Sequence, residues 1–351
     1  MMIQDFQGVE IKAISACVPK NKIGNDFFSD LLSPKEIRVF EKTVGIVQRR
    51  WANENVTASD LGFEAATNLF SKYEINKDEI DCLIFLSQTP DYKIPFTSNI
   101  LQHKLGLKQS ILCLDINAGC AGFIQGLSTS FAIAKTIKKG KVLFIVAETL
   151  SKILSNKDRS TTMLFGDGAS AVLIENTGNL DSKSFFNFFS DGGNADAIQI
   201  PDGGYRNRVT SKSFVETEDE KGNVKNNLNL AMDGPRVFDF TLREIAPSIE
   251  ELLEKANIKK CSIDYFLLHQ SNQFIIKQIA AKLDVEADKM LLNISNFGNT
   301  SGVSIPLLIC SNCTKIEKSK TVLMSGYGSG LNWGNSVLNL SSTKIFPIIE
   351  I

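Results

Sequence analysis

A cysteine in a run of small residues is the first group in this sequence that could carry out covalent chemistry. Cys120 lies within Asn117-Ala-Gly-Cys-Ala-Gly-Phe123, where a strand is expected to end and an apolar helix to begin. A thiol at a helix N-terminus meets unpaired backbone N–H groups and the positive end of the helix dipole, which favour the thiolate. These features predict a nucleophilic cysteine. The alternative is a small buried cysteine with a packing role, which is the commoner fate of a single cysteine.

Only two histidines are available for acid or base chemistry near neutral pH. His103 lies in a predicted helix between Gln102 and Lys104, and we expect it to be exposed and inert. His269 follows the apolar run Tyr265-Phe-Leu-Leu268, so it should stand at the C-terminal end of a strand, where α/β folds collect ligands. A hydrogen-bonded core histidine is the structural alternative.

The elements that would position these groups recur as a repeat of about half the chain. Strand-like and helix-like segments in the first half have counterparts about 180 residues later, in the same order. Helices with apolar residues at three- and four-residue spacing are predicted at 59–73 and 235–256. The other matched pairs are Glu79–Gln88 with Ser262–Gln270, Leu101–Leu107 with Ile279–Val285, the β-like segments Leu112–Gly119 with Leu291–Gly298, Lys141–Ala147 with Thr321–Tyr327, and Ala169–Glu175 with Asn335–Leu340.

The alternation of strands and helices predicts an α/β fold with largely parallel sheets. The repeat divides the chain into a first half at 1–178 with the cysteine and a second half at 231–351 with the histidine. Residues 179–230 are rich in Asn, Asp, Gly, Ser and Lys, and are predicted to form a mostly irregular insertion that caps or lines a site. Resemblance by composition alone is the alternative explanation of the repeat.

The repeat also singles out an asparagine. Asn299, in Phe297-Gly-Asn-Thr-Ser-Gly-Val-Ser-Ile-Pro306, falls at the turn that corresponds to the turn of Cys120. The two turns would face each other across a pseudo-twofold axis, one with a thiol and the other with a carboxamide. The glycine cluster Gly326-Tyr-Gly-Ser-Gly330 could offer backbone N–H groups to an oxyanion.

Composition excludes several classes of function. The 351 residues include 38 basic and 39 acidic side chains, a balance that leaves no general attraction for nucleic acid or an anionic membrane. No run of eighteen apolar residues could span a bilayer, and the N-terminus lacks the pattern of a signal peptide. Seven cysteines, an odd number, indicate reduced thiols and a cytoplasmic location. No metal site or cofactor is predicted, since Cys310-Ser-Asn-Cys313 lacks a second pair and the glycine clusters lack dinucleotide spacing.

Five motifs together resemble the β-ketoacyl-acyl-carrier-protein synthase III family of thiolase-fold condensing enzymes. The resemblance implies a homodimer in which the duplicated halves form a five-layered αβαβα sandwich. The motifs occur in the family's order and cover nearly the whole chain: Asn117–Phe123, Leu164–Val172, His269–Asn272, Phe297–Pro306 and Gly326–Gly334.

The family likeness implies a catalytic triad of Cys120, His269 and Asn299. By that likeness Cys120 takes an acyl group from a primer thioester, with the backbone N–H groups of Cys120 and Ser329 as the oxyanion hole. Malonyl-acyl carrier protein then loses carbon dioxide while His269 and Asn299 stabilise the enolate, and the carbanion attacks the acyl-cysteine. The implied product is a β-ketoacyl thioester of fatty-acid or specialised acyl-chain synthesis, and the implied partners are acyl carrier protein and acyl-CoA.

The resemblance also implies contacts with substrate and carrier. Arg49 and Arg50 are candidates for carrier or phosphate recognition, against the alternative of a solvated pair. The chain departs from the family at Val39, Asp239 and Phe274, where tryptophan, lysine and arginine are expected, which removes attractions for coenzyme A or an acidic carrier. Candidate substrate-binding residues are Ile94, in place of a phenylalanine that the dimer partner usually provides, and Phe165, Met232, Phe238, Ser271, Asn272 and Gly328.

Two other reactions stay open within the fold. One is acyl transfer to an alcohol or amine, which the presence of Asn299 disfavours because simple transfer has less need of an enolate-stabilising pair. The other is chalcone-synthase-like iterative condensation, which uses the same triad. Thiolase and hydroxymethylglutaryl-CoA synthase chemistry are disfavoured, the latter because its glutamate would align near Gln88.

Overall fold

Two β-sheets, each covered by helices on both faces, form the frame of the computed structural model, which describes residues 3–318 and 321–351. The strands are β1 (Ile3–Gln7), β2 (Val9–Val18), β3 (Lys22–Gly24), β4 (Gln48–Arg50), β5 (Cys82–Leu86), β6 (Leu112–Ile116), β7 (Lys141–Glu148), β8 (Gly168–Asn176), β9 (Lys183–Ser190), β10 (Ile198–Gln199), β11 (Thr217–Glu218), β12 (Val224–Lys225), β13 (Ala231–Met232), β14 (Tyr265–Leu268), β15 (Thr321–Gly328), β16 (Asn332–Asn339), β17 (Lys344–Ile345) and β18 (Ile349–Glu350). The helices are α1 (Pro34–Thr43), α2 (Ala58–Tyr73), α3 (Thr97–Lys104), α4 (Gly122–Thr136), α5 (Gly234–Lys255), α6 (Gln273–Lys282), α7 (Ile294–Phe297), α8 (Ser304–Ser311) and α9 (Cys313–Ile316).

The two large sheets have related strand orders. The first runs β17-β2-β8-β7-β5-β6, with β18 also paired to β2, and the second runs β1-β9-β16-β15-β14. In the first sheet β5 is parallel to β6 and β7, while in the second β14 is parallel to β15. Strands β8 and β16 run antiparallel to these neighbours. The order β2-β8-β7-β5 therefore recurs as β9-β16-β15-β14, which confirms a structural repeat.

Helices and sheets alternate in five layers. Helices α4 and α8 lie between the sheets, in an apolar core that includes side chains of both, such as Phe144 and Met324. Helices α2 and α3 cover the outer face of the first sheet, and α5 and α6 cover that of the second. The predicted αβαβα arrangement is confirmed. No helix within the described ranges is long and apolar enough to cross a membrane.

Residues 179–230 differ from the sequence prediction. Lys183–Ser190 is strand β9, which pairs with β1 and β16 inside the second sheet, so the prediction of a mostly irregular insertion is wrong for this segment. Its phenylalanines are flanked by polar residues, a composition that conceals the strand, although Phe186 is fully buried. Residues 191–230 contain only short 3-10 turns and two-residue strands.

The two ends of the chain each add strands to the sheet of the opposite half. Strand β1, from the N-terminal half, lies at the edge of the second sheet, while β17 and β18, from the C-terminus, pair with β2 in the first sheet. The prediction of a β-like segment at Leu291–Gly298 is also wrong, because these residues form no strand and include helix α7; the isolated bridge to Phe266 is made by Met290, just before them.

Arg49 and Arg50 do not face a carrier protein or a phosphate. Arg49 is fully buried and donates hydrogen bonds to the Ile23 carbonyl (3.0 Å), the Asn25 side chain (2.7 Å) and the Met163 carbonyl (2.6 Å). Arg50 is 4% exposed and donates to the Pro19 carbonyl (3.0 Å) and to a carboxylate oxygen of Glu350 (2.7 Å). The predicted recognition role is wrong, because both guanidinium groups join remote segments of the chain.

Replacing Arg49 should therefore destabilise the fold. Arg49→Met keeps much of the side-chain volume but leaves buried acceptors without a donor, and we expect it to lower the free energy of unfolding by roughly 2–4 kcal/mol. Urea unfolding followed by circular dichroism measures the difference. Arg38→Met, the same exchange at an exposed site on α1, should change stability little. Equal stability of the two variants would contradict a structural role for Arg49.

Candidate active site

The nucleophile candidate is placed by a turn between a strand and a central helix. Strand β6 ends at Ile116 and helix α4 begins at Gly122, so Cys120 lies just before the first helical turn. Strand β15 passes close to it, since a Cβ atom on Gly328 would lie 2.7 Å from the Cys120 Cβ and 3.0 Å from Sγ. Only glycine fits at position 328. The two sheets therefore meet at the thiol.

The surroundings of Cys120 favour the neutral thiol. Burial raises the pKa of Cys120 to about 11; a hydrogen bond with Ser301, whose Oγ lies 3.5 Å from Sγ, acts in the opposite direction, and Glu148 adds a smaller increase. Loss of hydration is the largest of these effects, and it shifts the pKa in the direction opposite to that predicted from the helix N-terminus. The thiol must lose its proton during the reaction.

His269 stands at the end of β14, as predicted, and is 1% exposed. Its Nδ1 lies 2.7 Å from Ser304 Oγ, which also accepts the Gln270 backbone N–H at 3.4 Å. Burial lowers the pKa of His269 to about 3, partly offset by a hydrogen bond with the Ser301 backbone, so the ring is neutral at neutral pH. A Ser304 hydroxyl that donates to Nδ1 favours the tautomer with hydrogen on Nε2.

Asn299 is fixed by its backbone and by one end of its side chain. Its N–H donates to the Leu164 carbonyl (2.8 Å), and its carbonyl accepts from Gly166 N–H (3.0 Å). Its Oδ1 accepts the Ser301 N–H at 2.9 Å. Within residues 3–318 and 321–351, Nδ2 has no hydrogen-bond partner. The carboxamide can therefore present an N–H donor to a ligand.

One cavity of about 470 Å³ joins these three side chains. Cys120, His269 and Asn299 all line it, together with Ser329 of the predicted oxyanion hole. Six of the seven predicted substrate-binding residues also line this cavity: Phe165, Met232, Phe238, Ser271, Asn272 and Gly328. Their contact with substrate stays a prediction.

Ile94 is the exception among the predicted substrate-binding residues. It is 81% exposed, between the exposed Tyr92 and Phe96, and does not line the cavity of its own chain.

Sequence reasoning missed two residues next to the nucleophile. Gln88 lines the cavity, and its Nε2 donates to Ser329 Oγ at 3.1 Å. Glu148 is fully buried behind it and accepts hydrogen bonds from Gln88 N–H and the Thr89 hydroxyl. Burial raises the pKa of Glu148 to about 7 against these hydrogen bonds. The repeat, which pairs Glu79–Gln88 with Ser262–Gln270, is the signal that could have pointed to this strand end.

Two phenylalanines form an apolar patch at the cavity mouth. The rings of Phe238 and Phe274 stack with centroids 6.0 Å apart and planes 16° apart. Phe238 lines the cavity while remaining 37% exposed, and Phe274 is 45% exposed. This exposed part of the cavity wall is therefore apolar.

The arginines of α5 beside this patch are already paired with acids. Arg243 contacts Asp239 at 3.1 Å and Glu244 at 2.6 Å. Arg236 contacts Asp196 at 2.9 Å. These ion pairs leave little uncompensated positive charge on α5 for an acidic partner.

Comparisons with known proteins agree with the geometry. Residues 114–196 match the family described as 3-oxoacyl-[acyl-carrier-protein (ACP)] synthase III, and residues 253–340 match the family of its C-terminal region. The chain is 34% identical over 342 residues to β-ketoacyl-[acyl-carrier-protein] synthase III of Streptococcus gordonii, which covers 94% of this chain and 99% of the relative. The crystal structure of 3-oxoacyl-(acyl-carrier protein) synthase from Burkholderia xenovorans is similar with a TM-score of 0.93 at 35% identity, covering 100% of this chain and 99% of that chain.

The raised pKa of Cys120 predicts how its reactivity depends on pH. Because the thiolate fraction grows tenfold per pH unit below the pKa, alkylation of Cys120 by iodoacetamide should accelerate about tenfold per unit between pH 7 and 9. Mass spectrometry of the Cys120 peptide measures the rate, with the exposed Cys261 as internal check on the reagent. A rate that is already at its plateau at pH 7 would show a resting thiolate.

Proposed function

This chain belongs to the 3-oxoacyl-[acyl-carrier-protein] synthase III family of condensing enzymes, and we propose that it joins a primer acyl group to malonyl-acyl carrier protein through an acyl-Cys120 intermediate. The observation that carries the assignment of roles is the single cavity lined by Cys120, His269 and Asn299. A thiol supplies the nucleophile, and two neutral donors supply the stabilisation that an enolate needs.

In the first half-reaction the sulfur of Cys120 attacks the carbonyl carbon of the primer thioester. The new C–S bond places negative charge on the carbonyl oxygen, where the backbone N–H groups of Cys120 and Ser329 stabilise it. The intermediate collapses with cleavage of the donor C–S bond. The thiol proton ends on the departing donor thiol, and His269, neutral in the resting protein, is the group in the cavity that can carry it.

In the second half-reaction the malonyl group loses carbon dioxide. The electron pair of the broken C–C bond moves into an enolate, whose oxygen accepts hydrogen bonds from His269 Nε2–H and Asn299 Nδ2–H. The α-carbon attacks the acyl-Cys120 carbonyl and forms a new C–C bond. The C–S bond to Cys120 then breaks, and the thiolate takes up a proton from solvent water in place of the one that left with the donor thiol. Neutral donors suit this step, because a buried imidazolium or ammonium would need a counter-charge. The steps require no cofactor.

The partners follow from the proposed chemistry. Acyl carrier protein delivers the malonyl group, and acyl-CoA or an acylated carrier delivers the primer. The departures at Val39, Asp239 and Phe274 favour a specialised acyl-chain pathway over general initiation. The seven free thiols support the proposed cytoplasmic location.

A homodimer is part of the proposal. Tyr92, Ile94 and Phe96 are 61%, 81% and 49% exposed on one loop, an apolar surface that a second copy would cover. Ile94 would then approach the partner's cavity, where its small side chain leaves more room than a phenylalanine would.

Mass spectrometry of the acyl-enzyme tests the reaction. The protein is incubated with acyl-CoAs and acyl-carrier proteins, the Cys120 peptide is examined for an acyl adduct, and malonyl-acyl carrier protein is then added. We expect an adduct that disappears as carbon dioxide and a β-ketoacyl thioester form. Discharge to an alcohol or amine without carbon dioxide would favour heteroatom acyl transfer, and repeated extension would favour iterative condensation. No adduct with any donor would refute the proposal.

The role of Asn299 can be separated from that of Cys120. Asn299→Ala removes one enolate donor, so we expect acylation within about threefold of wild type but condensation slower by about 100-fold or more. Asn296→Ala, an exposed site in the preceding helix, is the matched control and should behave like wild type. Normal condensation by Asn299→Ala would contradict the assignment.

The paired charges at the mouth predict weak salt dependence of carrier recognition. Raising the ionic strength from about 0.05 to 0.3 M should change KM for malonyl-acyl carrier protein less than about twofold, because Asp239 and Glu244 neutralise Arg243. Phe274→Lys adds a cation, and should lower KM at low salt while introducing salt dependence. A several-fold increase of the wild-type KM with salt would show that cations direct docking.

A further inference from the structure

Gln88, which follows strand β5 of the first sheet, connects that sheet to the turn that carries Ser329. We propose that Gln88 is a positioning residue that holds the Ser329 backbone N–H against the thioester oxygen during acyl transfer to Cys120. The inference rests on the proposed function, since it deepens the role of the same site.

The backbone of Gln88 is anchored from inside the protein. Its N–H donates to both carboxylate oxygens of Glu148, at 3.0 and 3.2 Å. The same carboxylate accepts from the hydroxyls of Thr89 at 2.8 Å and Ser87 at 3.3 Å. Glu148 is fully buried at the end of β7, so its hydrogen bonds fix the position of residues 87–89 relative to the first sheet.

The side chain of Gln88 reaches the second sheet. Its Nε2 donates to Ser329 Oγ at 3.1 Å. The contact lies directly beside the nucleophile, because a Cβ atom on Gly119 would strike the Gln88 carboxamide and lie 2.8 Å from Ser329 Oγ. The side chains of Gln88 and Ser329 thus meet at Gly119, the residue that precedes Cys120.

A second set of hydrogen bonds holds the other side of the turn. Asn332 Nδ2 donates to the Ser329 carbonyl at 3.1 Å, and Asn332 Oδ1 accepts from the Ser190 hydroxyl at 2.8 Å. Ser329 is therefore held through its carbonyl by its own sheet and through its hydroxyl by Gln88. Removing the Gln88 bond takes away one link between this turn and the first sheet, while the packing of Gly328 against Cys120 remains.

An oxyanion donor works only when it is fixed before charge develops. Ser329 N–H must point at the oxygen of a tetrahedral intermediate whose carbon is bonded to Cys120, and Cys120 belongs to the first sheet's turn. A bond from Gln88 across the two sheets sets the distance between donor and nucleophile. The bond should matter in the transition state more than in thioester binding.

The test uses Gln88→Met, which keeps the length of the side chain but cannot donate a hydrogen bond. With the primer thioester that acylates the wild type, we expect the single-turnover acylation rate of Cys120 to fall about 10- to 100-fold with the thioester Kd within about twofold. Gln102→Met is the matched control, because the Gln102 side chain also donates a hydrogen bond, to the Leu107 carbonyl, but lies on the distant helix α3. It should acylate at the wild-type rate.

A double-mutant cycle identifies the partner of Gln88. Ser329→Ala removes the acceptor while keeping the backbone N–H, so it should slow acylation to a similar degree. The double variant Gln88→Met with Ser329→Ala should then be no slower than either single variant. Effects that multiply would mean that Gln88 does not act through Ser329, and would overturn the inference.

Alkylation distinguishes oxyanion positioning from a change in the thiol. Reaction of Cys120 with iodoacetamide needs the thiolate but forms no oxyanion, so Gln88→Met should alkylate within about twofold of wild type. Equal slowing of alkylation and acylation, or unchanged acylation, would overturn the inference while leaving the proposed function intact. A wild type that no thioester acylates would instead refute the proposed function, and the inference with it.

Discussion

The contact between two related turns is the constraint on which the rest of the structure depends. One turn precedes helix α4 and carries Cys120, and the other precedes α8 and carries Asn299 and Ser301. Their meeting is direct, with Cys120 Sγ 3.5 Å from Ser301 Oγ. Because α4 and α8 form the layer shared by both sheets, the core fixes this contact. Duplication thus brings two different side chains to one place.

Burial gives this site its electrostatic character. The same loss of hydration raises the pKa of Cys120 to about 11 and lowers that of His269 to about 3, so the resting cavity holds neutral groups. A neutral thiol is a poorer nucleophile than a thiolate. In return, hydrogen-bond donors in a poorly hydrated cavity stabilise a developing anion more strongly than they would in water. The site is suited to charge that appears only during reaction.

Polar side chains that never touch substrate in the proposed mechanism complete the positioning. Ser304 orients His269, Ser301 orients Asn299 through its backbone, and Glu148 anchors the strand end that carries Gln88. At the mouth, by contrast, the stacked Phe238 and Phe274 and the paired Arg243 offer an apolar surface with little free charge. The inner part of the cavity wall thus holds the polar groups of the proposed reaction, and the outer part is mainly apolar.

The sequence by itself determined most helices and strands and the repeat that pairs the turn of Cys120 with the turn of Asn299, while its family resemblance implied the αβαβα fold and the triad of Cys120, His269 and Asn299. Local periodicity sets helices and strands, and a repeat makes distant positions comparable. Only the tertiary structure decided the environment of individual groups. Arg49 is read as a carrier contact until its acceptor at Met163, which is 114 residues away, is known. Strand β9 places pairs of phenylalanines between polar residues and does not stand out in the sequence, and burial shifts the pKa of Cys120 in the direction opposite to that expected from its helix. The contacts of Arg49, the pairing of β9 and the burial of Cys120 all depend on segments that are remote in the chain. Residues adjacent in sequence therefore do not reveal them.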